Sequence, residues 1–220
     1  MPGMFKINIK QVEKALRNVQ KNFDKINDAL EMRREPMEEK IVANMLDGYR
    51  YVNTICENGI DPLDRNGLHH FLELNHIVTC GLDMHTRIEY GKHVNATTHR
   101  FYEQKDFCIS HMRSWSEKHK KDSTWKRAAG LYVLHISRPQ LFIEGNHRTG
   151  ALLMSCILVS NGKPPFVLTV DNAKAYFDPS SLAQKTTKDI LGKYYKLPKI
   201  KKKIASLLKT QADPKLLKTG

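Results

Sequence analysis

The sequence predicts an all-α protein, and three observations carry that expectation. Apolar residues recur at three- and four-residue spacing along most of the 220 residues. One run, Ala151-Leu-Leu-Met-Ser-Cys-Ile-Leu-Val159, is apolar on nearly every side, which marks a central buried helix. Helix stops stand between the periodic segments: Pro36, Gly59 with Asp61-Pro62, Gly81, and Asn161-Gly162 followed by Pro164-Pro165.

In chain order, Val12, Leu16, Val19, Phe23, Ile26 and Leu30 form one stripe of a helix from about Asn8 to Arg34. The stripe is short and mixed in type, so it favours packing on its own chain over a coiled-coil seam. A second helix is expected over Met37–Asn58, with Ile41, Met45, Tyr49, Val52 and Cys56 on one face, and a third over Leu68–Cys80. The polar stretch from Asp83 to Phe101 has β-prone pieces, Thr86–Tyr90 and Ala96–Phe101, and reads as a long loop or a short β-hairpin. Helices follow over Lys105–Lys120, Ser123–Ile136 and Asn146–Ser160. A loop through Asp178-Pro179 then leads to two short helices in a basic tail. The implied organisation is an N-terminal helical extension (1–36), a central domain (37–179) and a basic helical C-terminal tail (180–220).

The formal net charge is +13, and beyond Lys185 many lysines face only Asp189 and Asp213. Such an excess suits an anionic partner for the tail, or simply a solvated surface. No window approaches the ~18 apolar residues of a membrane span. Met1–Lys10 lacks an apolar leader core, so no signal peptide is expected, and Asn95-Ala-Thr97 carries no weight as a glycosylation site. Cys56, Cys80, Cys108 and Cys156 lie far apart without a C-x-x-C, which fits buried thiols in a reducing, cytoplasmic setting. The histidines show no zinc-ligand spacing.

The segment between the last two central helices holds the chemistry. In Ile143-Glu-Gly-Asn-His-Arg-Thr-Gly150 the second helix starts inside the motif, so its free N–H groups face whatever occupies the turn. Gly145 allows a positive φ or a close backbone approach. Asn146 suits a cap, and Arg148 offers planar donors for phosphate. Glu144 is a hard oxygen ligand of the kind Mg²⁺ takes when phosphates fill its other positions. The same residues also suit an ordinary helix start with a Glu144–Arg148 ion pair, and the residues alone leave both readings open.

The run Phe142-Ile-Glu-Gly-Asn-His-Arg-Thr-Gly150 resembles the Fic/Doc (Fido) signature, H-x-F-x-[D/E]-G-N-x-R, in its Doc-like form, where R-T leads into a buried helix and an N-G pair. The resemblance covers roughly residues 37–179. It implies a Fic-type helical domain whose segment 83–101 is a short β-hairpin flap that docks a protein target by strand addition. It further implies ATP or another nucleoside triphosphate with Mg²⁺, and transfer of AMP or a phosphate to a protein hydroxyl. Glu144 would be the metal ligand, Gly145, Asn146, His147 and Arg148 would bind the phosphates, and Phe142 would anchor the core.

Three departures shape the expected function. The family's catalytic histidine falls on Gln140, whose amide cannot take a proton; losing a general base costs roughly 10²- to 10⁴-fold. Ala151 stands where many AMP-transferring members carry a second arginine. The inhibitory-helix pattern has only an echo in Asn53-Thr-Ile-Cys-Glu57-Asn58. His147 is a candidate phosphate contact or displaced base, or else a solvent-facing first-turn residue, whereas His135 reads as core. The expectation is a Fic-like nucleotide-binding transferase of weak or altered activity. The alternative is an inactive relative that binds a nucleotide or a partner; a nucleic-acid regulator resting on the tail stands third.

Overall fold

The computed structural model describes residues 5–219; the opening residues 1–4, part of the leader reading, and residue 220 lie outside that range. The chain is all-α with one small antiparallel sheet. Strand β1 (Phe5–Ile7) leads into α1 (Ile9–Lys21) and α2 (Phe23–Ala29), so the single helix expected over 8–34 is two. The break is local: the Asn22 side chain donates to the Asn18 carbonyl at 2.8 Å and competes with the helical backbone. Val12 and Leu16 are buried in one cluster with Val42, Met45 and Tyr49, so the stripe packs on its own chain.

Helices α3 (Glu39–Glu57) and α4 (Leu68–Cys80) stop at glycines with positive φ, Gly59 and Gly81, as the sequence signals require. The expected flap is not a hairpin. Residues 83–101 form α5 (Met84–Glu89) and most of α6 (Gly91–Glu103). Asp83 starts α5 by accepting from the Thr86 N–H and hydroxyl, both at 2.7 Å. In α6 the inward positions, Thr97 and Phe101, are four apart, which is helical spacing.

Helices α7 (Ile109–Lys118), α8 (Thr124–Ile136) and α9 (Asn146–Val159) complete the centre. Helix α10 (Ala173–Lys185) runs through the expected loop at Pro179 and across position 180. Its mid-helix proline removes one backbone donor, and the helix is held by burial of Ala173, Tyr176, Ser180 and Ala183. A π-helical turn, Gly192–Lys196, enters α11 (Leu197–Thr210), whose Ile200, Ile204, Leu207 and Leu208 belong to the main core. Strand β2 (Leu217–Thr219) then pairs with β1, Phe5 opposite Thr219 and Ile7 opposite Leu217. Asn53 grips both backbone groups of Ile7, and Glu57 pairs with Lys6 at 2.9 Å. The echo of an inhibitory helix in α3 therefore serves the sheet.

Every residue of α9 except His147 and Arg148 is buried. Leu152, Cys156 and Val159 face the cluster of α1, α3 and α4, while Leu153, Met154, Ile157 and Leu158 face that of α8 and α11. Each large apolar side chain so placed contributes about 1.5–3 kcal/mol before chain entropy is subtracted, so α9 is the least movable element. Its first turn, with the only two side chains outside the core, is the fixed end on which the site is built. Among the described residues no helix is long and apolar enough to cross a membrane.

Candidate anion site at the start of α9

Gly145 caps α9 at φ +71°. A Cβ there would lie 2.8 Å from Thr79 Cγ2 and 3.1 Å from Asn75 Nδ2, so glycine lets the turn press against α4 rather than against a ligand. Asn75 completes that contact, donating to the Glu144 carbonyl and to Thr149 Oγ1, both at 2.9 Å. Asn146 does not aim its amide outward. It accepts from the Phe142 N–H at 3.1 Å and donates to the Phe142 carbonyl at 2.9 Å, closing the loop on itself. Phe142 is the core anchor the motif implies: it stacks on Phe101 at 5.4 Å and meets Phe71 edge-on at 5.6 Å.

Among the described residues, the backbone N–H groups of Asn146, His147 and Arg148 have no protein acceptor. They are the free donors of a helix start. Arg148 donates through Nη1 to the Val78 carbonyl at 2.5 Å and through Nη2 to Glu144 Oε1 at 3.3 Å. The ion pair, one of the two readings of the spacing, is therefore present. It is loose, because the Glu144 side chain is 62% exposed, and such pairs contribute at most about 1 kcal/mol. No group of three or more His, Cys, Asp or Glu stands together among the described residues. Glu144 offers a cation one carboxylate, so Mg²⁺ fits here only when phosphate oxygens supply most of its ligands.

The candidate histidine, His147, is not placed to act as a base. His147 Nδ1 meets Tyr132 Oη at 3.0 Å, and Nε2 lies 3.2 Å from the Gln184 side-chain amide. Tyr132 donates onward to Ser180 at 2.7 Å, and Ser180 to the Tyr176 carbonyl, which ties His147 into a buried polar chain. Both ring nitrogens are engaged inward, and desolvation, then Arg34, pushes the His147 pKa down to about 4. It is neither a solvent-facing residue nor a displaced base. His135 is core: Nε2 bonds the Asn146 carbonyl at 2.8 Å, and burial lowers its pKa to about 3.

Gln140 turns its amide back to the Ile136 carbonyl at 3.0 Å, while its own carbonyl accepts from Arg100 Nε and Nη2 at 3.1 and 2.8 Å. The tail holds this stretch from the other side. Arg138 N–H bonds Thr186, Lys188 N–H bonds Arg138, both at 2.9 Å, and Lys188 Nζ reaches the Ser137 carbonyl at 2.5 Å and the Pro139 carbonyl. Desolvation, with Arg100 and Lys193 nearby, lowers the Lys188 pKa to about 7. The structure thus brings Glu144, Gly145 and Arg148 together at one turn, uses Asn146 to hold the loop, and directs His147 away. Sequence reasoning missed Asn75, Arg100, Tyr132 and Lys188. Only Asn75 gave a signal, a polar residue between the buried Leu74 and Val78 of α4.

No protein-family model matches the chain, and no curated protein is similar to it by sequence comparison.

Proposed function

We propose that the protein is a Fic-like nucleotide-binding protein that has lost the proton-abstracting step. It holds a phosphate-bearing ligand at the α9 turn, and its partner reads the bound state. The observation that carries this reading is the set of free N–H groups at Asn146–Arg148, next to an arginine anchored through Nη1 on the Val78 carbonyl whose Nη2 meets only a loose, exposed carboxylate. A phosphate takes over the Nη2 that Glu144 occupies and gains the helix N-terminus as well. A Mg²⁺ carried in by the phosphates then has the released Glu144 as its protein ligand. No imidazole faces the turn to activate an acceptor hydroxyl, so transfer of AMP or phosphate is weak or absent. Strand addition at 83–101 gives way to docking on α5, where Met84 and Ile88, one turn apart, are 67% and 75% exposed. The buried thiols suit a cytoplasmic setting.

Calorimetry with ATP and Mg²⁺ tests the binding. The parent should bind, and Arg148→Ala, checked for an intact melting transition, should lose at least tenfold in affinity. Equal binding by parent and variant removes the assignment. Gln140→His then asks about chemistry: label transfer from radiolabelled ATP to proteins of a cell extract should rise roughly 10²-fold or more over the parent. No rise, with nucleotide still bound, leaves a binding site alone.

A further inference from the structure

A cleft of about 1340 Å³ borders the signature loop at Pro139, Gln140, Phe142 and Ile143, and Arg148 is not in its lining. It exceeds the roughly 300–1,000 Å³ of ordinary small-molecule pockets. Pro139, Gln140 and Ile143 form one wall, α7 and α8 the floor, and the segment from Thr187 to Lys201 the other wall. The lining is basic. Arg100, Lys118, Arg138, Lys188, Lys193 and Lys201 face only Asp106 and Asp189. Lys201 is matched by Asp122 at 2.8 Å, and Asp189 is occupied in binding Thr187 and the Gly192 N–H, so the solvent-facing charge is strongly positive. Lys188 is turned onto the Ser137 and Pro139 carbonyls and Arg100 onto the Gln140 carbonyl, so Lys118, Arg138 and Lys193 carry the open charge.

Aromatic faces are interleaved with these cations. Trp115 and His119 stack at 3.9 Å and 12° in the floor. The π-helical turn places Tyr194, 72% exposed, in the lining beside Lys193, while the next residue, Tyr195, lies outside it. Large aromatic side chains left this open, on a turn type common at functional sites, gain nothing for the fold.

We infer that this cleft binds a single polynucleotide strand, its phosphates tracking Lys118, Arg138 and Lys193 and its bases stacking on Tyr194 and the Trp115–His119 pair. The two ingredients, a positively charged groove and stacking surfaces, are those of strand binding without strong sequence preference. An acidic peptide has the charge but no flat rings for the tyrosine. A bilayer surface has the charge but cannot enter a concave cleft to reach the Trp115–His119 pair. The inference does not rest on the nucleotide reading, since it needs neither Glu144 nor Arg148.

Fluorescence anisotropy with labelled single-stranded oligonucleotides tests it. Affinity should fall with log salt at a slope of about 0.7 per phosphate contacted. Arg138→Ala and Lys193→Ala should each weaken binding and shallow that slope by about one contact. Tyr194→Ala should weaken it on the order of tenfold with the slope unchanged. These three positions are solvent-exposed, so the variants should melt with the parent, and Lys10→Ala with Lys14→Ala, on α1, should bind as the parent does. The inference is overturned if the parent does not bind the strand, or if duplex of the same sequence, polyglutamate or phosphatidylserine vesicles compete as well as free strand. It is equally overturned if the arginine, lysine and tyrosine variants bind undiminished.

Discussion

Replacing Asn146 by alanine separates a structural from a ligand role at the position the Fic signature reserves for phosphate. Asn146 satisfies both the N–H and the carbonyl of Phe142, at 3.1 and 2.9 Å, and Phe142 is only 1% exposed. Alanine removes both partners and leaves two buried backbone groups unpaired, each costing about 1–3 kcal/mol. Partial entry of water from the Ile143 side trims the sum to roughly 2–4 kcal/mol. For a domain of this size each kcal/mol moves the midpoint by about 2–4 °C, so Asn146→Ala should melt roughly 5–15 °C below the parent. Arg148→Ala loses one carbonyl bond and an exposed ion pair, and should fall by only a few degrees. Circular dichroism melts of the three proteins, with and without ATP and Mg²⁺, read both effects. If Asn146→Ala melts with the parent and has lost the nucleotide-induced stabilisation, the asparagine is a ligand group and the loop-stapling argument is wrong.

Two further outcomes follow from the same geometry. His135 and His147 are held neutral, with pKa values lowered from 6.5 to about 3 and about 4. The unfolded chain takes up their protons below pH 6.5 and the folded protein does not. Stability is therefore full above 6.5 and falls with pH down to about 4, by about 1.4 kcal/mol per pH unit for each histidine. Urea titrations across that window should show the fall, and His147→Gln should remove close to one histidine's share; an unchanged pH slope in the variant contradicts the burial argument. In hydrogen exchange, α5, with no buried residue, should exchange far ahead of α9, and comparable protection of the two would refute the assignment of α5 as a loosely held surface element.

Much of the fold was legible where side chain and backbone signals agreed. The bounds of α4, α8 and α9 follow from their apolar faces and from the glycine and asparagine stops, and the all-round apolar run did become the central helix. The errors share a physical cause. Between 83 and 101 the β-branched threonines were weighed above the spacing of Thr97 and Phe101, and local propensity lost to helical packing. At Asn22 a side-chain hydrogen bond to Asn18 broke a helix whose apolar period ran on unbroken. At Pro179 burial on both sides outweighed one missing donor. The Glu144–Arg148 pair was one of two readings that the residues left open, and the positive φ of Gly145 one of two roles open to that glycine. The inward turn of His147 was not, because Tyr132, Ser180 and Gln184 come to it from two other helices, and nothing at positions 140–150 encodes them. The basic cleft was equally hidden: its cations come from α6, α7, the 138–140 loop and the tail, and only the fold gathers them.

The pairing of β1 with β2 also fixes how the molecule yields to force. The two strands are antiparallel, and the outermost pair is Phe5 with Thr219. A pull applied at the two ends loads that pair first and opens the rungs one after another, like a zip, instead of shearing them together. Behind the zip, tension passes along β1 to Ile7, which the Asn53 side chain of α3 clamps. Peeling should therefore run from the ends into α1 and α3 and leave α8, α9 and the loop between them assembled. The site is mechanically insulated from its own termini, and a tether or bulky fusion at either end would strain the sheet long before it disturbed the turn at Gly145.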